Sequence, residues 1–233
     1  MTAAPSLIFD FDGLLVDTES TALRAWREQF AVHGLAFPLE VWHRYIGTQG
    51  SQQAMLAAVR SGGIEFDDTQ LLAEWRERHN GIVREEFLRE GVEVFLDAAA
   101  AAGSKLAVAS SASRDWLDEN LDRLGIRDRF SAVCARDNGR VKPAPDIYLA
   151  ALKALGATAA NTVAFEDSPN GIAAAKAAGL YCVAVPNPVT ADLPLEQADL
   201  RVGSFAELTV SGLVERLRAV QGYAAANVQA PAP

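Results

Sequence analysis

The stretch Leu7-Ile8-Phe9-Asp10-Phe11-Asp12-Gly13 is a brief apolar run that stops at two carboxylates and a glycine. The same design returns twice. Leu106-Ala107-Val108-Ala109 runs into Ser110-Ser111, and Val163-Ala164-Phe165 runs into Glu166-Asp167-Ser168. Short buried strands that end in polar residues and give way to helical patterns are the mark of βαβ units, so an α/β fold with a parallel sheet is expected. Ala132-Val133-Cys134 and Tyr181-Cys182-Val183-Ala184-Val185 read as further strands. Helices are read over 116–124, 146–155 and 172–178. Gly125, Gly156 and Gly179 follow them, where a left-handed residue closes a helix.

One interval interrupts the alternation. Residues 18–84 are helical in pattern, contain the turn-like Gly47-Thr48-Gln49-Gly50 and Ser61-Gly62-Gly63, and are too long for a loop. They are read as a small helical domain inserted after the first strand, the core being 1–17 together with 85–221. The Ala- and Pro-rich stretch 222–233 is expected to be a frayed, flexible tail.

Composition narrows the function. In 233 residues, 21 Lys and Arg face 30 Asp and Glu, a net charge of −9. Such acidity argues against a nucleic-acid partner, because that affinity rests on basic side chains displacing counterions. Cys134 and Cys182 each sit in an apolar run, as buried thiols of a reducing compartment do. No signal peptide or membrane span is read, so a cytoplasmic protein without a membrane partner is expected; a monomer is compatible with the sequence.

Ligands of an open parallel sheet bind at the carboxyl ends of its strands. Asp10 and Asp12, Ser110 and Ser111, and Glu166 and Asp167 all fall there, and Lys142 stands just before a helix start. Carboxylates converging on one edge repel unless a cation sits among them. Oxygen ligands without His or Cys favour Mg²⁺, with Asp10, Asp12, Glu166 and Asp167 as candidate ligands. The hydroxyls and the ammonium would hold a phosphate. The set suits phosphoryl transfer: Asp10 attacks phosphorus, Asp12 protonates the leaving oxygen and later activates water, and Ser110 and Lys142 stabilise the equatorial oxygens. Singly these residues could be turn formers, N-caps or surface charges. Their order at successive strand ends makes that account a chain of coincidences.

These residues resemble the haloacid dehalogenase-like superfamily, in its beta-phosphoglucomutase-like branch. The first motif is Asp10-Phe11-Asp12-Gly13-Leu14-Leu15-Val16-Asp17-Thr18-Glu19, the second Ser110, the third Lys142-Pro143-Ala144-Pro145-Asp146, and the fourth Glu166-Asp167-Ser168-Pro169-Asn170-Gly171. The resemblance implies a Rossmann-like core and a helical cap inserted after the first motif. It also implies Mg²⁺ on the Asp10 carboxylate, the Asp12 carbonyl and the Asp167 carboxylate, with Glu166 a ligand or a supporting acid.

Departures from the family pattern narrow the chemistry. Asp12 is the second aspartate that dehalogenases lack. No lysine lies in 18–84 to form the Schiff base of phosphonoacetaldehyde hydrolases. Ala22 stands where mutases of the branch carry a histidine. A phosphatase for a small phosphorylated metabolite, a sugar phosphate foremost, is therefore expected. The alternatives are a beta-phosphoglucomutase-type mutase and a receiver-like phospho-acceptor module. His43, Arg44 and Gly47 are the candidate substrate contacts from the insertion, whereas Trp26, Phe30, Trp42, Tyr45 and Trp75 read as its core.

Overall fold

The computed structural model describes residues 4–46 and 50–228, with side chains to residue 220. The strands are β1 (Ser6–Phe9), β2 (Leu106–Ala109), β3 (Ala132–Cys134), β4 (Thr162–Glu166), β5 (Tyr181–Ala184) and β6 (Leu200–Arg201). They form one parallel sheet in the order β3-β2-β1-β4-β5-β6. In β1, Leu7 pairs with Leu106 on one side and Val163 on the other. The chain thus winds outward in one direction through β2 and β3 and in the other through β4 to β6. The crevice where the winding reverses opens beside the end of β1, the usual ligand position in such sheets.

Alternation along the strands divides the residues between two faces. Leu7, Phe9, Val108, Phe165 and Val183 point to one side, under α5 (Val92–Ala101), α6 (Arg114–Arg123) and α9 (Val210–Val228). Phe9 and Phe165 stack there with centroids 4.7 Å apart. Ile8, Ala107, Ala109, Ala164, Cys182 and Ala184 point to the other, under α7 (Asp146–Leu155) and α8 (Pro169–Ala177). The small residues of this second face let α7 and α8 pack close to the backbone. Cys134 and Cys182 are both buried. Gly125, Gly156 and Gly179 take φ of 67°, 61° and 77°, the left-handed closures expected from sequence.

Between β1 and α5 run α1 (Thr18–Val32), α2 (Leu39–Tyr45), α3 (Ser51–Ser61) and α4 (Asp68–Val83). They enclose a cluster of their own around Trp26, Phe30, Trp42, Met55, Val59 and Trp75. At the other end, helix α9 continues through Gly222 to Val228. Ala224-Ala225-Ala226 supplies strong helix formers there; residues 229–233 lie outside the described residues. No described helix is long and apolar enough to cross a membrane.

Candidate active site

Asp10 continues the ladder of β1, its amide donating to the Phe165 carbonyl at 3.0 Å, so its side chain emerges at the sheet's carboxyl edge. Glu166 is the last residue of β4 and Asp167 follows it. Lys142 reaches in from ahead of α7, and its Nζ lies 2.5 Å from Asp10 Oδ1 and 2.6 Å from Glu166 Oε1. All four are buried, with 6 % of Asp10, 3 % of Lys142, 2 % of Asp167 and none of Glu166 exposed. This buried ammonium is raised above the usual lysine range: burial alone would lower it, but Asp10 and Glu166 together outweigh burial.

Glu166 is fully committed. Oε1 also accepts from Tyr148 Oη at 2.7 Å, and Oε2 from the Asp167 amide at 3.1 Å and Ser168 Oγ at 3.4 Å. Gly171 leaves room for it, since a methyl group there would run into the Glu166 carboxylate. Asp167 Oδ2 takes an N–H from Asn187 Nδ2 at 2.7 Å, and the same amide donates to the Gly13 carbonyl at 3.2 Å. Gly13, at φ 79°, passes so close that a side chain would strike Asp167 and Asn187.

Asp12 is held by a different set of donors. Its Oδ1 accepts from Thr18 Oγ1 and from Trp116 Nε1, each at 3.0 Å, and its Oδ2 from Ser110 Oγ at 3.3 Å. Thr18 also accepts the Gly13 amide at 3.0 Å, which fixes the turn between the two aspartates and α1. Ser111 Oγ accepts the Lys142 amide at 3.3 Å and so ties the end of β2 to that lysine's loop. The N-cap alternative for Ser110, Ser111 and Asp167 is not realised: Ser113 caps α6 and Ser168 caps α8, while Asp17 does cap α1. Arg89 locks the surroundings by donating to the carbonyls of Gly13 at 2.7 Å, Val185 at 2.9 Å and Pro186 at 2.6 Å.

Electrostatically the site holds an excess of negative charge. Asp10 is raised to about 8, chiefly by burial, with Lys142 opposing and Glu166 and Asp12 adding to it. Asp167 lies well above the carboxylate range through burial and its neighbours Asp10, Glu166 and Glu19. Glu19 is raised to about 8 by burial and by Asp12, Asp10 and Asp17. Oxygens of Asp10, Glu166 and Asp167 lie within 4.8 Å of one another, a spacing one metal ion could span. The cluster offers only hard oxygen donors, as suits Mg²⁺.

A cleft of about 460 Å³ opens over these groups, lined by Asp10, Asp12, Ser110, Ser111 and Lys142 on one side and the inserted helices on the other. His43 and Arg44 do not line it. Trp42, Tyr45 and Ile46 of the same segment do, together with Ala22, Gln52 and Gln53. Helical phase explains the exchange: positions 42, 45 and 46 share a face, and 43 and 44 turn away. Gly47 lies outside the described residues. Sequence reasoning missed Glu19, Trp116, Tyr148 and Asn187 as site residues. Glu19 could have been found as the next acid after the first motif's aspartates; the other three reach in from distant helices and loops.

Residues 7–185 match the family described as haloacid dehalogenase-like hydrolase. The chain belongs to this family. Among haloacid dehalogenase-like relatives, YhcW of Bacillus subtilis (strain 168), whose name carries the word phosphatase, is 40% identical over 213 residues, covering 91% of this chain and 97% of that one. Fructose-1-phosphate phosphatase YqaB of Escherichia coli (strain K12) is 32% identical over 184 residues, covering 77% and 95%. A solved structure of a CbbY variant from Rhodobacter sphaeroides in complex with xylulose-(1,5)bisphosphate superposes with a TM-score of 0.72 at 30% identity, covering 88% of this chain and 96% of that one.

Proposed function

We propose that this chain, a phosphoric monoester hydrolase of the haloacid dehalogenase-like family, cleaves a small sugar phosphate with Asp10 as nucleophile and Mg²⁺ as cofactor. The observation that carries the reading is the convergence of Asp10, Asp12, Ser110 and Lys142 on the core side of the cleft, with Asp167 grouped beside Asp10. Asp10, the Asp12 carbonyl and Asp167 would hold the ion, and Glu166, with both oxygens taken, serves to orient Lys142. Bound there, Mg²⁺ offsets the repulsion between carboxylate and phosphate and polarises the phosphoryl oxygens.

Asp10 attacks phosphorus and the bond to the ester oxygen breaks, leaving an aspartyl phosphate. Asp12 gives its proton to the departing alkoxide oxygen. It then takes a proton from water, whose oxygen attacks the same phosphorus and releases inorganic phosphate with Asp10 restored. Lys142 and the Ser110 hydroxyl face the equatorial oxygens, and the Ser111 hydroxyl steadies the Lys142 loop. The inserted helices act as a cap that closes over the ester and excludes bulk water. The cap side of the cleft presents aromatic rings, amides and hydroxyls, which suit a polyol; the names of YqaB and of the CbbY complex point the same way. Ala22 lines the cleft where a mutase histidine is expected, which favours hydrolysis over transfer to a second hydroxyl.

The test is turnover of a panel of sugar phosphates with Mg²⁺, together with acid quenching to trap a phosphorylated protein. Phosphate release and a trapped phosphoprotein decaying within seconds are expected from the parent, and neither from a folded Asp10→Asn variant. Retained turnover in Asp10→Asn sinks the reading. Conversion of beta-glucose 1-phosphate to glucose 6-phosphate in place of phosphate release would make the protein a mutase, and a phosphoprotein lasting minutes a receiver-like module.

A further inference from the structure

The indole of Trp116 has an unusual destination. It lies on the first turn of α6 in the core, and its Nε1 donates to Asp12 Oδ1 at 3.0 Å. Its ring is one end of a column. His79 of α4 stacks on it with centroids 5.8 Å apart and planes 21° off parallel, Trp75 stacks on His79 at 5.0 Å and 12°, and Trp26 of α1 on Trp75 at 4.8 Å and 20°. The column runs from the apolar centre of the inserted helices to the carboxylate of Asp12. His79 is pinned as well. Thr21 spends its hydroxyl proton on the Thr18 carbonyl at 2.8 Å, so the 3.1 Å contact with His79 Nε2 is an N–H donated by the imidazole to Thr21 Oγ1. Thr18 in turn donates to the same Asp12 oxygen that Trp116 does.

We propose that Trp116 is a positioning residue for the proton transfer at Asp12, and that the Trp26–Trp75–His79–Trp116 column lets the seating of the inserted helices set where that carboxyl group points. The proposal rests on the reading of Asp12 as general acid. An indole is rigid and has one donor, so with its ring clamped by His79 the N–H defines one direction for Asp12 Oδ1. Were the inserted helices to move away, the shelf beneath the indole would leave with them. An ester would then be committed to cleavage only when the cleft is covered.

The test separates leaving-group protonation from the rest of catalysis. An alkyl ester, β-glycerol phosphate, needs a proton on its departing oxygen, whereas p-nitrophenyl phosphate scarcely does. Trp116→Phe keeps a ring in the column and removes the N–H. It is expected to lower kcat/KM for β-glycerol phosphate about tenfold more than for p-nitrophenyl phosphate, the size of one hydrogen bond to a charged group. His79→Leu keeps the indole but removes its shelf, and should split the two substrates in the same direction. Asp12→Asn is the reference and should split them by about a hundredfold. If Asp12→Asn splits the substrates and Trp116→Phe lowers both equally, or neither, the role of Trp116 is overturned while Asp12 keeps its own. If Trp116→Phe splits them and His79→Leu does not, the coupling through the column is overturned. If Asp12→Asn produces no split, the acid assignment falls and the inference with it.

Discussion

Lys142 is the residue on which the charge balance of the site turns. Its ammonium touches Asp10 and Glu166, both buried, so removing it takes the counter-charge away from a buried pair of acids. Breaking a buried pair in this way costs about 3–5 kcal/mol, far more than loss of a surface ion pair. Lys142→Met is therefore expected to lower the urea unfolding free energy by about that amount and to abolish turnover. A stability unchanged within error would show that the ammonium is not the counter-ion of these acids. At this scale the sequence was most legible: Asp10, Asp12, Ser110, Glu166 and Asp167 stand at strand ends, where neighbouring residues alone reveal their position. Asn187 and Tyr148 were hidden because each has an ordinary local context. Only the folded chain brings Asn187 to Asp167 and Tyr148 to Glu166.

Among the elements, α4 carries a titration that its helical pattern does not announce. Burial lowers His79 from 6.5 to about 4, so the folded protein keeps this imidazole neutral through a range in which the unfolded chain takes up a proton. The associated stability is fully present above the unfolded value and is lost as pH falls from 6.5 toward 4, by about 3 kcal/mol in all. The raised acids work in the opposite sense over part of that range, so the difference between parent and variant is the clean measure. His79→Phe should narrow its stability gap to the parent, or reverse it, on going from pH 7 to pH 4.5, followed by urea unfolding at each pH. A gap independent of pH would place the imidazole proton in both states alike. Elements with a long period were legible, such as α7, whose bounds 146–155 match the sequence reading. Strand β6 was not, because two residues, Leu200 and Arg201, are too few to show alternation. In α2 the residues that line the cleft, Trp42 and Tyr45, were not singled out as contacts, since charge marks a residue without stating its helical phase.

For the molecule as a whole, the reversal of winding beside β1 gathers acids from β1 and β4 that lie more than 150 residues apart in sequence. Their mutual repulsion is held in the fold and should be visible as a metal response. Asp10 and Glu19, raised from 3.8 and 4.5 to about 8, keep protons in the metal-free fold that the unfolded chain has already lost. Metal-free stability should therefore decline as pH rises between those limits. Mg²⁺, which needs the deprotonated carboxylates, should stabilise more at pH 8 than at pH 6. Thermal unfolding is expected to shift upward by several degrees at saturating Mg²⁺, corresponding to about 3 kcal/mol at a hundredfold excess over Kd, and EDTA should reverse it. An equal shift at both pH values would separate the ion from these carboxyl groups.

Arg89 stands where the chain returns from the inserted helices, and it grips the carbonyls of Gly13 and Leu14 just before the chain departs into them. Its own amide donates to Leu15 at 2.9 Å. Exit and re-entry are thus sewn together on the core side, and the sheet does not depend on the insertion to hold its edge closed. That makes the helical segment a replaceable part. Changes within it need not unpick the doorway by which it is joined to the sheet.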